Sequence, residues 1–113
     1  DEAAILEMVR DMLENMGYQV LTANTPARAL DIGKAHPDKI SLLMTDVIMP
    51  EMNGKDLARR LTAAHPGLKT LFMSGYTADV IAHHGILEEN VAFIQKHFSM
   101  NELAKRVRDV LDR

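Results

Sequence analysis

Cysteine is absent from the 113 residues, so the chain has no disulfide, no thiolate nucleophile and no cysteine-based zinc or iron–sulfur site. A reducing cytoplasm is compatible with that composition. A surplus of positive charge is missing too: thirteen Lys plus Arg face sixteen Asp plus Glu, a net charge of −3. That balance creates no global field for nucleic acid or an anionic membrane, and direct nucleic-acid binding is not expected. No apolar run is long enough to span a bilayer, and residues 1–16 are rich in acids where a secretory leader would be basic and then apolar. Membrane insertion is therefore not expected either. Internal repeats, low-complexity tracts and Ser/Gly linkers are lacking as well. With 47% hydrophobic and 26% charged residues, the length suits one core, so residues 1–113 read as a single domain.

What the sequence does contain is an alternation of two hydrophobic periods. Ile5, Met8, Val9, Met12, Leu13 and Met16 recur at steps of three and four, which predicts a helix over 3–16 that Gly17 terminates. Tyr18–Ala23 reads as a strand, and Thr25-Pro26 has the chemistry of a cap and first residue for a second helix over 26–35. Residues 40–45 form a mostly apolar strand ending at Asp46, followed by a turn over 49–54 and a helix over 55–64 anchored by Leu57 and Leu61. Lys69–Ser74 is the next strand, and a short helix is expected near 78–83. Val91–Lys96 reads as the last strand. Ser99 and Glu102 form a capping box opening a final helix with Leu103, Val107, Val110 and Leu111 inward.

Alternating helices and apolar strands predict an α/β fold, a doubly wound parallel sheet with helices on both faces. Ligands of such sheets collect at the carboxyl ends of the strands. The polar residues expected there are Asp46, Ser74 and Lys96, each closing a different strand. A carboxylate, a hydroxyl and an ammonium on one edge suit phosphoryl acceptance: Asp attacks phosphorus, Ser hydrogen-bonds a phosphoryl oxygen and Lys offsets its charge. A divalent cation would complete the set, since Mg²⁺ is commonly held by one or two carboxylates, with other oxygen ligands and water. Asp1 is the candidate second carboxylate.

Asp46-Val47-Ile48-Met49-Pro50-Glu51-Met52-Asn53-Gly54 resembles the phosphoacceptor segment of the receiver domains of two-component response regulators. Ser74-Gly75 is similar to that family's hydroxyl switch position, and Lys96-His97-Phe98 to its Lys-Pro-Phe element. The resemblance covers all 113 residues. It implies the flavodoxin-like receiver fold and phosphorylation of Asp46 from a phosphohistidine. By the same resemblance Asp1, Asp46 and the Ile48 carbonyl hold Mg²⁺, Ser74 and Lys96 grip the phosphoryl group, and Phe93 falls at the switch aromatic. The implied partners are a histidine kinase or a histidine phosphotransfer domain, with a downstream effector or attached kinase domains as output, in the cytoplasm. Phe72–Thr77 and Phe93–Lys96 look particularly like receivers joined to hybrid sensor histidine kinases.

Two departures stand against this pattern. Receivers usually open with an apolar strand ending in an acidic pair, whereas this chain opens at Asp1, so the first strand is expected to be missing from residues 1–113. Either upstream residues precede Asp1, or another chain covers the gap. The second departure is His97 where the family normally has Pro. Without proline a cis bond costs about 2.5–4 kcal/mol, so the expectation is either a trans Lys96–His97 bond with a shifted loop or a strained cis bond.

Rival readings follow from the same residues. Asp46 on its own suits a turn or a helix cap, Ser74 a backbone partner, Lys96 a solvated surface and Asp1 a helix cap. An aspartyl-phosphate phosphatase would use a similar strand-end Asp, but it wants a second acid two residues later, where Ile48 stands. A receiver-like interaction module without phosphate turnover is the other alternative. His83-His84 and the eight methionines carry no site: adjacent helical residues diverge, and the methionines suit adaptable core packing.

Overall fold

The structure, a computed structural model, describes residues 2–49, 51–75 and 91–113. In chain order its elements are α1 (Glu2–Asn15), α2 (Pro26–Ala35), β1 (Leu42–Asp46), α3 (Gly54–Ala64), β2 (Lys69–Ser74), β3 (Phe93–Gln95) and α4 (Met100–Leu111). The expected helix near 78–83 lies outside the described residues, with Tyr76, His83 and His84.

Local chemistry sets the helix ends. Gly17 adopts φ +96, and its N–H donates to the Glu14 carbonyl while the Tyr18 N–H donates to Leu13, the paired bonds that close a helix on a left-handed residue. Thr25 accepts the Arg28 N–H with Pro26 in the first turn, and Asn53 accepts the Asp56 N–H at 2.8 Å. The capping box of α4 forms in both directions, between Ser99 Oγ and the Glu102 N–H and between Glu102 Oε1 and the Ser99 N–H.

Among the described residues the sheet has three parallel strands in the order β1-β2-β3. Met44 faces Leu71 and Asp46 faces Met73 across the first pair; Phe72 faces Phe93 and Ser74 faces Gln95 across the second. Alternate side chains point to opposite faces. Leu71, Met73 and Ile94 join Val9 and Leu13 of α1 and Leu103, Val107 and Val110 of α4 in one buried cluster. On the other face Phe72 packs with Val47 and with Ala58 of α3, and Leu57 and Leu61 of α3 meet Leu30 of α2 and Leu43 of β1. Helices thus cover both faces, as the doubly wound reading requires. Leu71 and Leu103 are fully buried, each worth about 1.5–3 kcal/mol in apolar transfer.

The strand expected at Tyr18–Ala23 does not join the sheet. Tyr18 and Val20 pack on the α1–α4 cluster while Gln19 and Leu21 are exposed, so the period-two burial is present. Among the described residues, however, no strand pairs with this segment. The pattern decides which side chains are buried; a strand also needs a neighbouring backbone for its ladder. The last strand is shorter than expected as an element, yet its pairing spans 92–96: Ala92 accepts the Phe72 N–H and the Lys96 N–H donates to Ser74.

Candidate functional site

β1 ends on Asp46, β2 ends on Ser74, and Lys96 follows β3 directly. Parallel register brings these ends to one edge of the sheet. Two backbone bonds lock the alignment: the Val47 N–H donates to Met73 at 3.1 Å, and the Lys96 N–H donates to Ser74 at 2.7 Å. The side chains of Asp46 and Lys96 then meet, with Lys96 Nζ 2.8 Å from Asp46 Oδ1. The pair retains only 15% and 14% of its side-chain exposure, so its attraction is less screened than that of a surface ion pair. Ser74 is buried at 6% exposure beside this edge. The three residues expected from their strand-end positions are thus brought together.

The loop after Asp46 sets the rim. Val47 is buried and Ile48 turns outward at 59% exposure. The Gly54 N–H donates to the Val47 carbonyl at 2.7 Å, docking the start of α3 on the end of β1. A Cβ at Gly54 would collide with the Asp46 carbonyl oxygen and stand 3.0 Å from its carbon and 3.2 Å from Thr45 Cγ2. Buried Thr45 donates its hydroxyl to the Asp46 carbonyl at 3.1 Å. Sequence reasoning singled out neither Thr45 nor Gly54 for the site. The Asn53-Gly54 pair reads as a turn and as the end of the phosphoacceptor-like segment, with no role for the glycine itself, although a glycine opening a helix next to a strand-end acid is a signal of close backbone approach.

The Lys96–His97 bond is trans, and His97 adopts φ +69. Of the two expected arrangements, the strained cis bond is not the one adopted. Phe93 is half-buried and packs with Phe72 and Val47 on the α3 face. Asp1 lies outside the described residues, as does Pro50. Among the described residues no three His, Cys, Asp or Glu side chains group as a metal cluster, and no helix is long and apolar enough to cross a membrane. One carboxylate, Asp46, beside a solvent-open loop that carries the Ile48 carbonyl fits a hard cation that keeps several waters. A groove of about 540 Å³ lies elsewhere, lined by Lys55, Arg59, Phe72, Val91 and Arg113 among others, and none of the three strand-end residues borders it.

A parallel sheet covered on both faces, with Asp, Ser and Lys at the carboxyl ends of its strands, is the arrangement expected of the receiver class of α/β proteins. The family model of the response regulator receiver domain matches residues 1–108, and the chain belongs to that family. It is similar to the sensor kinase CckA of Brucella abortus (strain 2308), at 35% identity over 101 residues, which is 89% of this chain and 11% of CckA. The response regulator receiver protein CpdR of the same organism is 32% identical over 99 residues, 88% of this chain and 81% of CpdR. The crystal structure of the receiver domain from the hybrid histidine kinase CckA matches with a TM-score of 0.81 and 32% identity, covering 98% of this chain and 93% of that one. The chemotaxis protein CheY4 of Vibrio cholerae, at 23% identity and a TM-score of 0.80, shares the fold. The chain therefore is a receiver domain of two-component signalling with the flavodoxin-like fold.

Proposed function

We propose that this receiver accepts a phosphoryl group on Asp46 from a phosphohistidine. The observation that carries the reading is the 2.8 Å approach of Lys96 Nζ to Asp46 Oδ1, at a strand edge that also holds buried Ser74. An Asp46 carboxylate oxygen forms the new bond to phosphorus as the phosphorus–nitrogen bond of the donor breaks, and the leaving imidazole takes up a proton. The product is an acyl phosphate. Lys96 exchanges part of its pairing with the carboxylate for a phosphoryl oxygen, and the Ser74 hydroxyl donates to another. Positioning and electrostatics supply most of the rate.

Asp46, the Ile48 carbonyl and Asp1 would hold Mg²⁺. When bound, the ion supplies charge neutralisation on the attacking and phosphoryl oxygens. Hydrolysis of the acyl phosphate is slow and resets the domain, so the chemistry is self-phosphorylation and self-dephosphorylation. The phosphorylated form shifts a two-state surface through Ser74 and Phe93, with α4 at its border.

Receiver domains as a class work with histidine kinases or phosphotransfer proteins and with effectors. For this chain we place the donor as a histidine kinase or a histidine phosphotransfer domain, and the output as a separate effector or attached kinase domains, in the cytoplasm. The chain spans 11% of CckA, and kinase activity of any larger parent belongs to the same proposal. The test is phosphorylation by acetyl phosphate with and without Mg²⁺: labelling that requires the ion and Asp46 supports the reading. Labelling of neither wild type nor an Asp46→Asn variant leaves the protein as an interaction module without turnover.

A further inference from the structure

The chain's route from β3 into α4 carries a second assignment. Ile94 and Phe98 are four residues apart and belong to the same buried cluster, at 3% and 6% exposure. The chain bends at Lys96 and His97, directly after β3 and before α4 begins. Lys96 itself is held on the upstream side by its N–H bond to Ser74, and on the downstream side Phe98 is buried and Ser99 caps α4. Between these anchors stands one exposed residue, His97, with φ +69 and a trans bond behind it.

We propose that His97 is a positioning residue: its left-handed backbone makes the turn that directs Lys96 at Asp46, where the family's usual proline could not hold the same φ. Proline is locked near φ −65°, and β-branched residues are strongly disfavoured at positive φ, whereas Gly, Asn and His enter that region far more readily. The exposed imidazole has no part in the device; the backbone angle does. Lys96 thus reaches Asp46 by a different chain geometry from the one its Lys-Pro-Phe-like motif implies. The catalytic consequence rests on the phosphoacceptor reading above, while the placement of Lys96 does not.

The test uses the full-length protein carrying His97→Gly, His97→Asn, His97→Ala or His97→Val. Two quantities are read: the rate of labelling by acetyl phosphate, and the change in the Lys96 ammonium resonance when Asp46→Asn is added, observed with ¹⁵N-lysine. Gly and Asn should keep both within about twofold of wild type. Val should lower labelling by about tenfold or more and abolish the response of Lys96 to Asp46→Asn, with Ala between. Should the Val variant not fold, the order Gly and Asn above Ala decides. Unchanged values in the Val variant, or a Gly variant as impaired as Val, would overturn the assignment. If the resonance follows the predicted order while even wild type is not labelled, the phosphoacceptor reading fails and the positioning role stands. Normal labelling without any Lys96 response does the reverse.

Discussion

Gly54 lies so close to Asp46 that the first turn of α3 rests on the backbone of the strand-end acid, with no room for a side-chain carbon between them. The obstructing atoms are backbone, which cannot rotate away as a flexible side chain would. Gly54→Ala should therefore cost at least the about 1–3 kcal/mol of an overpacked core and slow any chemistry at Asp46. Urea unfolding checks the first effect and acetyl phosphate labelling the second. An alanine variant as stable as wild type would show that α3 docks elsewhere.

Lys96 and Asp46 form a pair with little solvent on either member. Replacing Lys96 by Met keeps much of the side chain's apolar bulk and deletes the charge. Labelling should fall by about 10²-fold, the scale of losing one donor aimed at developing negative charge, while Asp46 stays the labelled residue. A variant labelled at the wild-type rate would remove Lys96 from the site.

The capping box of α4 is complete in both directions, so its two halves predict different losses. Ser99→Ala removes the acceptor for the Glu102 N–H and should cost about 1 kcal/mol. Glu102→Gln preserves an acceptor for the Ser99 N–H and should cost less. Chemical denaturation of the two variants ranks them; the reverse order would contradict the cap geometry.

Leu103 is fully buried where α4 meets the sheet. Leu103→Ala should cost about 2–5 kcal/mol, with the spread set by how far the cavity collapses. A loss below about 1 kcal/mol would mean that α4 is not seated on this face.

Much of this architecture was legible in the sequence because it rests on local chemistry. The Thr25-Pro26 start, the Gly17 stop and the Ser99–Glu102 box each depend on residues within one turn of the helix they bound, and each forms as expected. Asp46, Ser74 and Lys96 were legible because parallel strands bring their carboxyl ends together without any further detail. Tyr18–Ala23 failed as a strand because alternation reports burial and says nothing of a hydrogen-bonding neighbour. Met8 was counted in the buried stripe of α1, but lies at its margin, 38% exposed, where a three-and-four spacing cannot tell edge from centre. The Gly54–Asp46 approach and the φ of His97 are long-range or backbone properties, set by how the elements dock. The residue types alone admitted them without requiring them.

The central claim is best tested by locating the phosphoryl group. The full-length protein is incubated with acetyl phosphate and Mg²⁺, digested under conditions that preserve an acyl phosphate, and mapped by mass spectrometry beside Asp46→Asn. The account predicts one modified carboxylate, Asp46, in wild type and no label in the variant. Equal labelling of the variant, or a modification mapped to another residue, would contradict it.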